Sequence, residues 1–208
     1  VRRSALISLS DLNDREMRFA KHGEWYKDNV QRALANNSVN YKEKPDAGTF
    51  MREWLSLYDS KSGERGIYNG LASKYHVNDL NTREKDKDGT YIQRRVARDD
   101  FGTNPCSEII LRSREFCNLS EVVVRSDDTL GSLRDKVRVA TILGTFQSTL
   151  TNFKYLSKEW QRNCEEERLL GVSLTGIMDN SLTNGTKGDT KKLLNELRQV
   201  AIDTNKEY

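Results

Sequence analysis

The sequence predicts an α/β fold of barrel-like architecture, with short strands alternating with helices along the chain. Three observations carry that expectation. Short apolar runs bounded by turn residues recur, as at Ile67-Tyr68, Ile109-Ile110-Leu111 and Val122-Val123-Val124. Between them lie stretches whose apolar residues return at helical spacing, the longest beginning at Leu130, Leu133 and Val137. Cap residues and glycines mark the joints between the two kinds of segment. Such alternation builds layers of helix on sheet rather than a bundle or a sandwich.

Taken in order, residues 1–10 alternate polar and apolar character late in the run and read as a strand. Asp11-Leu12-Asn13 supplies cap chemistry for a helix over 14–21, which Gly23 stops. Ala35-Asn36-Asn37-Ser38-Val39 is small and polar and reads as the approach to a second strand, or as an Asn-rich turn. Thr49 is placed to cap a helix with Phe50, Trp54, Leu57 and Tyr58 on one face, and that face is predicted to enter the core. A Gly/Ser turn over 60–66 leads into a strand at Ile67-Tyr68. Residues 81–100 carry alternating charges followed by Arg94, Arg95 and Arg98, and read as a solvated loop.

Beyond residue 125, Ser126-Asp127-Asp128-Thr129 offers several helix caps. The helix that follows is predicted to run through Leu150, Phe153 and Leu156 toward Trp160 and to pack on a sheet. A charge run at Glu165-Glu166-Glu167-Arg168 precedes a strand over 169–176 that ends in a tight glycine turn. Leu193, Leu194, Leu197, Val200 and Ala201 mark a last amphipathic helix over 191–207.

Composition narrows the function. The 208 residues are 31% charged and 36% hydrophobic, a thin supply for a self-contained core and in keeping with a piece of a larger domain. Net charge is +3, from 34 basic and 31 acidic residues, with no basic stripe of the kind that nucleic-acid binding requires. No apolar run approaches membrane-spanning length. Neither a dinucleotide-binding glycine fingerprint nor a P-loop occurs, and no Cys-x-x-Cys pair suggests zinc. Three cysteines with no secretory segment point to a reducing cytoplasm.

The rest of the chain is organised around residues 102–125. They hold two of the three cysteines and one of the two prolines. Gly102-Thr103-Asn104-Pro105 is a turn signal that delivers Cys106 to a loop tip before the strand at Ile109-Ile110-Leu111. A thiol there can be a nucleophile, a metal ligand or a redox centre. His22 and His76 are the only histidines and neither is close in sequence. If residues 104–108 were extended, Asn104, Cys106 and Glu108 would point to one side, because strand side chains repeat every second residue. The alternative is a pair of buried cysteines in a loop–strand unit. Cys164, beside the charge run, reads as structural or incidental.

Asn104-Pro105-Cys106-Ser107-Glu108, followed by Phe116-Cys117-Asn118-Leu119-Ser120-Glu121-Val122, resembles the catalytic finger loop of ribonucleotide reductases. Within that family it is most similar to the adenosylcobalamin-dependent, class II enzymes of the triphosphate-reducing branch. The short separation of the cysteines and the Cys-Asn-Leu-Ser-Glu-Val context carry that choice. The resemblance extends through Val1-Arg2-Arg3-Ser4-Ala5, Ala35-Asn36-Asn37-Ser38, Gly63-Glu64-Arg65-Gly66-Ile67 and residues 164–179. Where the family usually has glycine after the first cysteine, this chain has Ser107, a residue less free at positive φ.

The resemblance implies a ten-stranded α/β barrel with the finger loop, about residues 102–118, through its centre. Residues 1–208 would be a fragment of that single catalytic domain. It implies reduction of ribonucleoside triphosphates to deoxyribonucleotides by a thiyl radical, with adenosylcobalamin as cofactor. Cys106 would carry the radical, Glu108 act as general base, Asn104 hold the sugar hydroxyls and Cys117 be one of two reducing thiols. A deoxynucleotide effector, a thioredoxin-type reductant and a monomeric full-length protein follow from the same resemblance. Arg94, Arg95 and Arg98 would then be either solvated or turned to substrate phosphates. The partner cysteine, the C-terminal cysteine pair and a phosphate-binding segment are expected outside this chain, which would be inactive alone. The alternatives are a diphosphate reductase of class I or dimeric class II, and a non-catalytic remnant of the same barrel.

Overall fold

The structure is a computed structural model that describes residues 6–81, 85, 87–91, 95–98 and 100–208. The expected strand residues 1–5 and Arg94 lie outside the described residues. The chain forms two compact units, Val1–Ser113 and Arg114–Tyr208. Both are mixed α/β, as the alternation of segments predicts, and their sheets are small.

The first unit is built on three parallel strands: β1 (Leu6–Ser10), β2 (Ala35–Asn40) and β3 (Gly66–Tyr68), in that spatial order. Ile7 lies opposite Asn36, and Val39 opposite Ile67. Parallel neighbours need crossovers, and helices supply them. α1 (Arg15–Phe19) and α2 (Trp25–Asp28) lead from β1 to β2, and α3 (Ala47–Ser60) leads from β2 to β3. α4 (Gly70–Asn81), which the sequence reading missed, follows β3. Asp14 caps α1 by accepting the Met17 N–H at 2.9 Å. Ala35-Asn36-Asn37-Ser38-Val39 is not an approach or a turn but the central strand itself. Its buried Asn37 is tolerated because Nδ2 donates to the Met17 carbonyl at 2.7 Å.

α3 corrects two expectations. Asp46, not Thr49, is its cap, accepting the Thr49 N–H at 2.9 Å. The aromatic stripe is not the core face: within this chain Trp54 is 51% exposed and Tyr58 76%. The inward face instead carries Glu53, Leu57 and Ser60, at i, i+4 and i+7. An ion pair selects it. Arg65 Nε donates to Glu53 Oε1 at 2.7 Å and Nη2 to Oε2 at 3.0 Å, with each residue at most 2% exposed. The same guanidinium donates to Ser10 Oγ and to the Asp11 and Leu12 carbonyls, and Arg18 adds a second cation to Glu53. Turning Glu53 outward would leave the buried Arg65 guanidinium without its carboxylate, so the helix faces inward on this side.

The unit closes with an antiparallel hairpin of β4 (Gly102–Thr103) and β5 (Ile110–Leu111), in which Thr103 pairs with Ile110. The hairpin places residues 104–109 at its tip.

The second unit is a parallel β–α–β arrangement. β6 (Asn118–Val123) pairs with β7 (Leu170–Thr175) from Asn118↔Leu170 to Val123↔Thr175, joined by α5 (Leu130–Ser148) and α6 (Lys158–Glu167). Val122, Val124, Leu133, Val137 and Ala140 form the core with Leu193 and Leu197 of α7 (Thr190–Glu207). Thr129 and Ser132 form a reciprocal capping box that starts α5. Gly144 lets that helix lie close on the sheet: a Cβ there would collide with Leu170 Cδ1. The predicted continuation toward Trp160 does not occur, because α5 ends at Ser148. The chain folds back so that Phe116 stacks on Trp160 and meets Phe153 edge-on, with centroids 4.5 and 5.2 Å apart. Among the described residues, no helix is long and apolar enough to cross a membrane.

Candidate active site

The hairpin tip is a tight turn. The Ser107 N–H donates to the Asn104 carbonyl at 2.9 Å, which makes residues 104–107 a β-turn with Pro105 at its second position. Proline favours that position because its ring presets φ. Asn104 then locks the loop from below. Its N–H donates to the Ile109 carbonyl at 3.3 Å, and its Oδ1 accepts the Ile109 N–H at 3.0 Å.

This geometry revises the extended reading of residues 104–108. The three side chains belong to one six-residue loop, but alternation does not place them. Asn104 is turned into the unit and only 6% exposed, whereas Cys106 and Glu108 are both exposed at the tip. The bend introduced by Pro105 and Ser107 is the reason. Asn104 uses its carbonyl oxygen to hold the loop, so the amide nitrogen is the end left for any ligand contact. The exposure of Cys106 also sets aside the reading of this thiol as a core residue.

Ser107 adopts φ +64°, in the left-handed region where the family's glycine would be at ease. That conformation costs an L-residue about 1–2 kcal/mol. Glycine would lose about 0.5–1 kcal/mol through its greater freedom when unfolded, leaving a net gain of similar size. Ser107→Gly is therefore expected to slow hydrogen exchange at the Ile109 amide by about fivefold, while Ser107→Ala does not. Equal protection in the two variants would show that Ser107 is unstrained.

Asn36 and Tyr68, which the sequence left without a role, and Arg95, expected to be solvated or turned to substrate phosphates, hold the hairpin by its carbonyls. Asn36 Nδ2 donates to Pro105 O at 2.6 Å, the Tyr68 hydroxyl to Gly102 O at 2.9 Å and Arg95 Nη1 to Ile110 O at 3.0 Å. Burial pushes the Tyr68 phenol above its ordinary pKa, so it remains a donor. The adjacent Asn36-Asn37 pair was the visible signal, but periodicity alone could not say what either amide holds. Arg95 is thereby directed to backbone, with its guanidinium over the Phe101 ring at 5.1 Å.

Cys117 belongs to the second unit, where it is half-buried immediately before β6. Its neighbours are well held: the Phe116 N–H donates to Cys164 Sγ at 3.4 Å and the Asn118 N–H to the Leu169 carbonyl at 3.1 Å. Cys164 is buried. None of the three cysteines is in a disulfide. No cluster of His, Cys, Asp and Glu among the described residues could hold a metal ion.

No family model matches the chain. Curated relatives do, and they share one name, adenosylcobalamin-dependent ribonucleoside-triphosphate reductase. The protein from Lacticaseibacillus paracasei is 32% identical over 194 residues, which is 86% of this chain and 22% of that protein. The one from Lactobacillus leichmannii is 29% identical over 212 residues, 97% of this chain and 26% of its own length. The Lactobacillus acidophilus protein is 30% identical, over 86% of this chain and 22% of its own. The chain thus spans about a quarter of the length of the curated relatives it matches.

Proposed function

We propose that this chain is the finger-loop segment of an adenosylcobalamin-dependent ribonucleoside-triphosphate reductase. The observation that carries the reading is the Cys106 thiol, exposed at the apex of a turn that Asn104 locks from below, in a chain that aligns with those reductases over most of its length. In this reading the parallel strands β1–β3 and β6–β7, with their helical crossovers, are parts of a ten-stranded barrel, and the 208 residues are one portion of a single catalytic domain.

Adenosylcobalamin, bound to the whole protein, supplies homolytic chemistry that ends in a sulfur-centred radical. The group on this chain that fits it is the Cys106 thiol, a hydrogen-atom donor presented to solvent rather than packed in a core. Cys106 as a thiyl takes the hydrogen atom from the ribose 3′-carbon, an exchange of bonds of similar strength. Glu108, exposed on the same tip, takes the proton of the 3′-hydroxyl as general base. Asn104 offers its amide nitrogen to the sugar hydroxyls. The 2′-hydroxyl leaves as water with a thiol proton. Cys117 and a partner thiol supply two electrons and become a disulfide, and their second hydrogen goes to the 2′-carbon. Glu108 returns its proton to the 3′-oxygen, and Cys106 returns the hydrogen atom to the 3′-carbon. The sum is one ribonucleotide and two thiols converted to one deoxyribonucleotide, one disulfide and water.

A thioredoxin-type reductant would reduce the disulfide back to two thiols, a deoxynucleotide would regulate, and the full-length protein would work as a cytoplasmic monomer. The test is a cofactor assay on the full-length protein, with tri- and diphosphates compared side by side. Turnover of the triphosphates only when adenosylcobalamin is supplied is the expected result. Turnover with a diiron partner subunit and no cobalamin would overturn the reading.

A further inference from the structure

We infer that Asn36 is a positioning residue for the Cys106 thiol, acting from the central strand of the first unit through the carbonyl of Pro105. What the thiol does rests on the reductase reading above; the geometry does not. Asn36 Nδ2 donates to Pro105 O at 2.6 Å, across 69 residues of sequence. That oxygen belongs to the planar peptide unit that also carries the N–H and Cα of Cys106. The pyrrolidine ring already limits φ of Pro105, so ψ is its one soft dihedral. A hydrogen bond that fixes the direction of the carbonyl fixes ψ, and with it the place of the Cys106 Cα. Only the torsions of Cys106 itself then remain to aim the sulfur.

Asn36 is a firm point from which to do this. It sits in β2, paired on one side with β1, where Ile7 is its neighbour, and in a strand that is paired on the other side with β3. Successive side chains of a strand point to opposite faces. Asn37 accordingly donates in another direction, to the Met17 carbonyl of α1 at 2.7 Å. One asparagine ties the strand to its crossover helix, and the next carries that rigidity to the loop. The Tyr68 and Arg95 bonds hold Gly102 and Ile110 at the roots of the hairpin, whereas the Asn36 bond acts on the residue that precedes the thiol. Sites built on strands hold a group more closely than loops can alone.

The full-length protein is compared with Asn36→Asp, which keeps the shape but cannot donate, Asn36→Ala, and Asn36→Gln, which restores a donor on a longer arm. Without nucleotide or cofactor, hydrogen exchange at the Ser107 and Ile109 amides is expected to quicken about fivefold in the Asp and Ala variants, as loss of one neutral hydrogen bond predicts. Protection of the α3 and β6 amides stays as in the native protein. In turnover, kcat falls about a hundredfold at nearly constant KM, the scale of a small misplacement of a reacting group. Gln recovers part of both effects. Native exchange at Ser107 and Ile109 in the Asp and Ala variants would overturn the inference. So would loss of protection in α3 together with the loop, which would make Asn36 a general support of the unit. If the native protein shows no cobalamin-dependent turnover, the reductase reading fails, and the exchange arm still decides whether Asn36 holds the loop.

Discussion

Replacing Cys106 by serine is expected to abolish turnover in the full-length protein, while leaving the loop folded. Cys106 is exposed, and serine is close to it in size, so the turn bonds of Asn104 are kept. The proposed chemistry is not, because an alcohol O–H bond is stronger than a sugar C–H bond and a serine oxygen cannot take up the radical at comparable cost. An added barrier of only about 7 kcal/mol would slow the step by about five orders of magnitude. Cys117→Ser separates the two thiols. Hydrogen abstraction remains available to Cys106, but reducing electrons fail, so the sugar intermediate decomposes and releases base. Tritium exchange from the 3′-position and chromatography for released base make the measurement. Silent loss in both variants, with no base released by the second, would count against the assigned roles.

The second large effect is structural and lies in the Arg65–Glu53 pair. Burial raises the Glu53 pKa, but the hydrogen bonds and charge of Arg65, with the charge of Arg18, outweigh it and hold the carboxyl below its ordinary value. Arg65→Met leaves Glu53 with Arg18 alone and removes the donor to the Asp11 carbonyl. Breaking a buried pair from one side costs about 3–5 kcal/mol. Native-state hydrogen exchange should show α3 and β1–β3 losing protection by about a hundredfold or more, with the second unit unchanged. Arg65→Met combined with Glu53→Leu should lose less than the two single changes added, since no charge is then stranded. The sign of the pH effect follows from the depressed value. The pair's contribution is full above the ordinary glutamate pKa and is lost as pH falls through the lower folded one. Acidification should therefore open the first unit in the native protein, and Glu53→Gln should flatten that dependence. A loss of protection under tenfold in Arg65→Met would show that the pair does not hold the unit.

Local information was enough for much of this molecule. The α/β class, the strand at Ile67-Tyr68, the capped helix after Thr129 and the glycine turn at Gly176 were all legible, because each depends on residues within a few positions. So was the loop-tip place of Cys106, since Gly102-Thr103-Asn104-Pro105 bends the chain whatever surrounds it. The resemblance, which has glycine where this chain has Ser107, marked the position that takes positive φ. Contacts between distant segments were not legible. Which face of α3 turns inward depended on Arg65, twelve residues away in sequence and in another element. The stacking of Phe116 on Trp160, far apart in sequence, was likewise invisible. Asn36 showed no assignable role until the fold set it 2.6 Å from the Pro105 carbonyl. By itself the sequence determined the α/β class, most of the segments and the bend that presents Cys106. Only the tertiary structure decided how the thiol is held, because hydrogen bonds and buried charges choose partners by distance in space, which spacing along the chain does not encode.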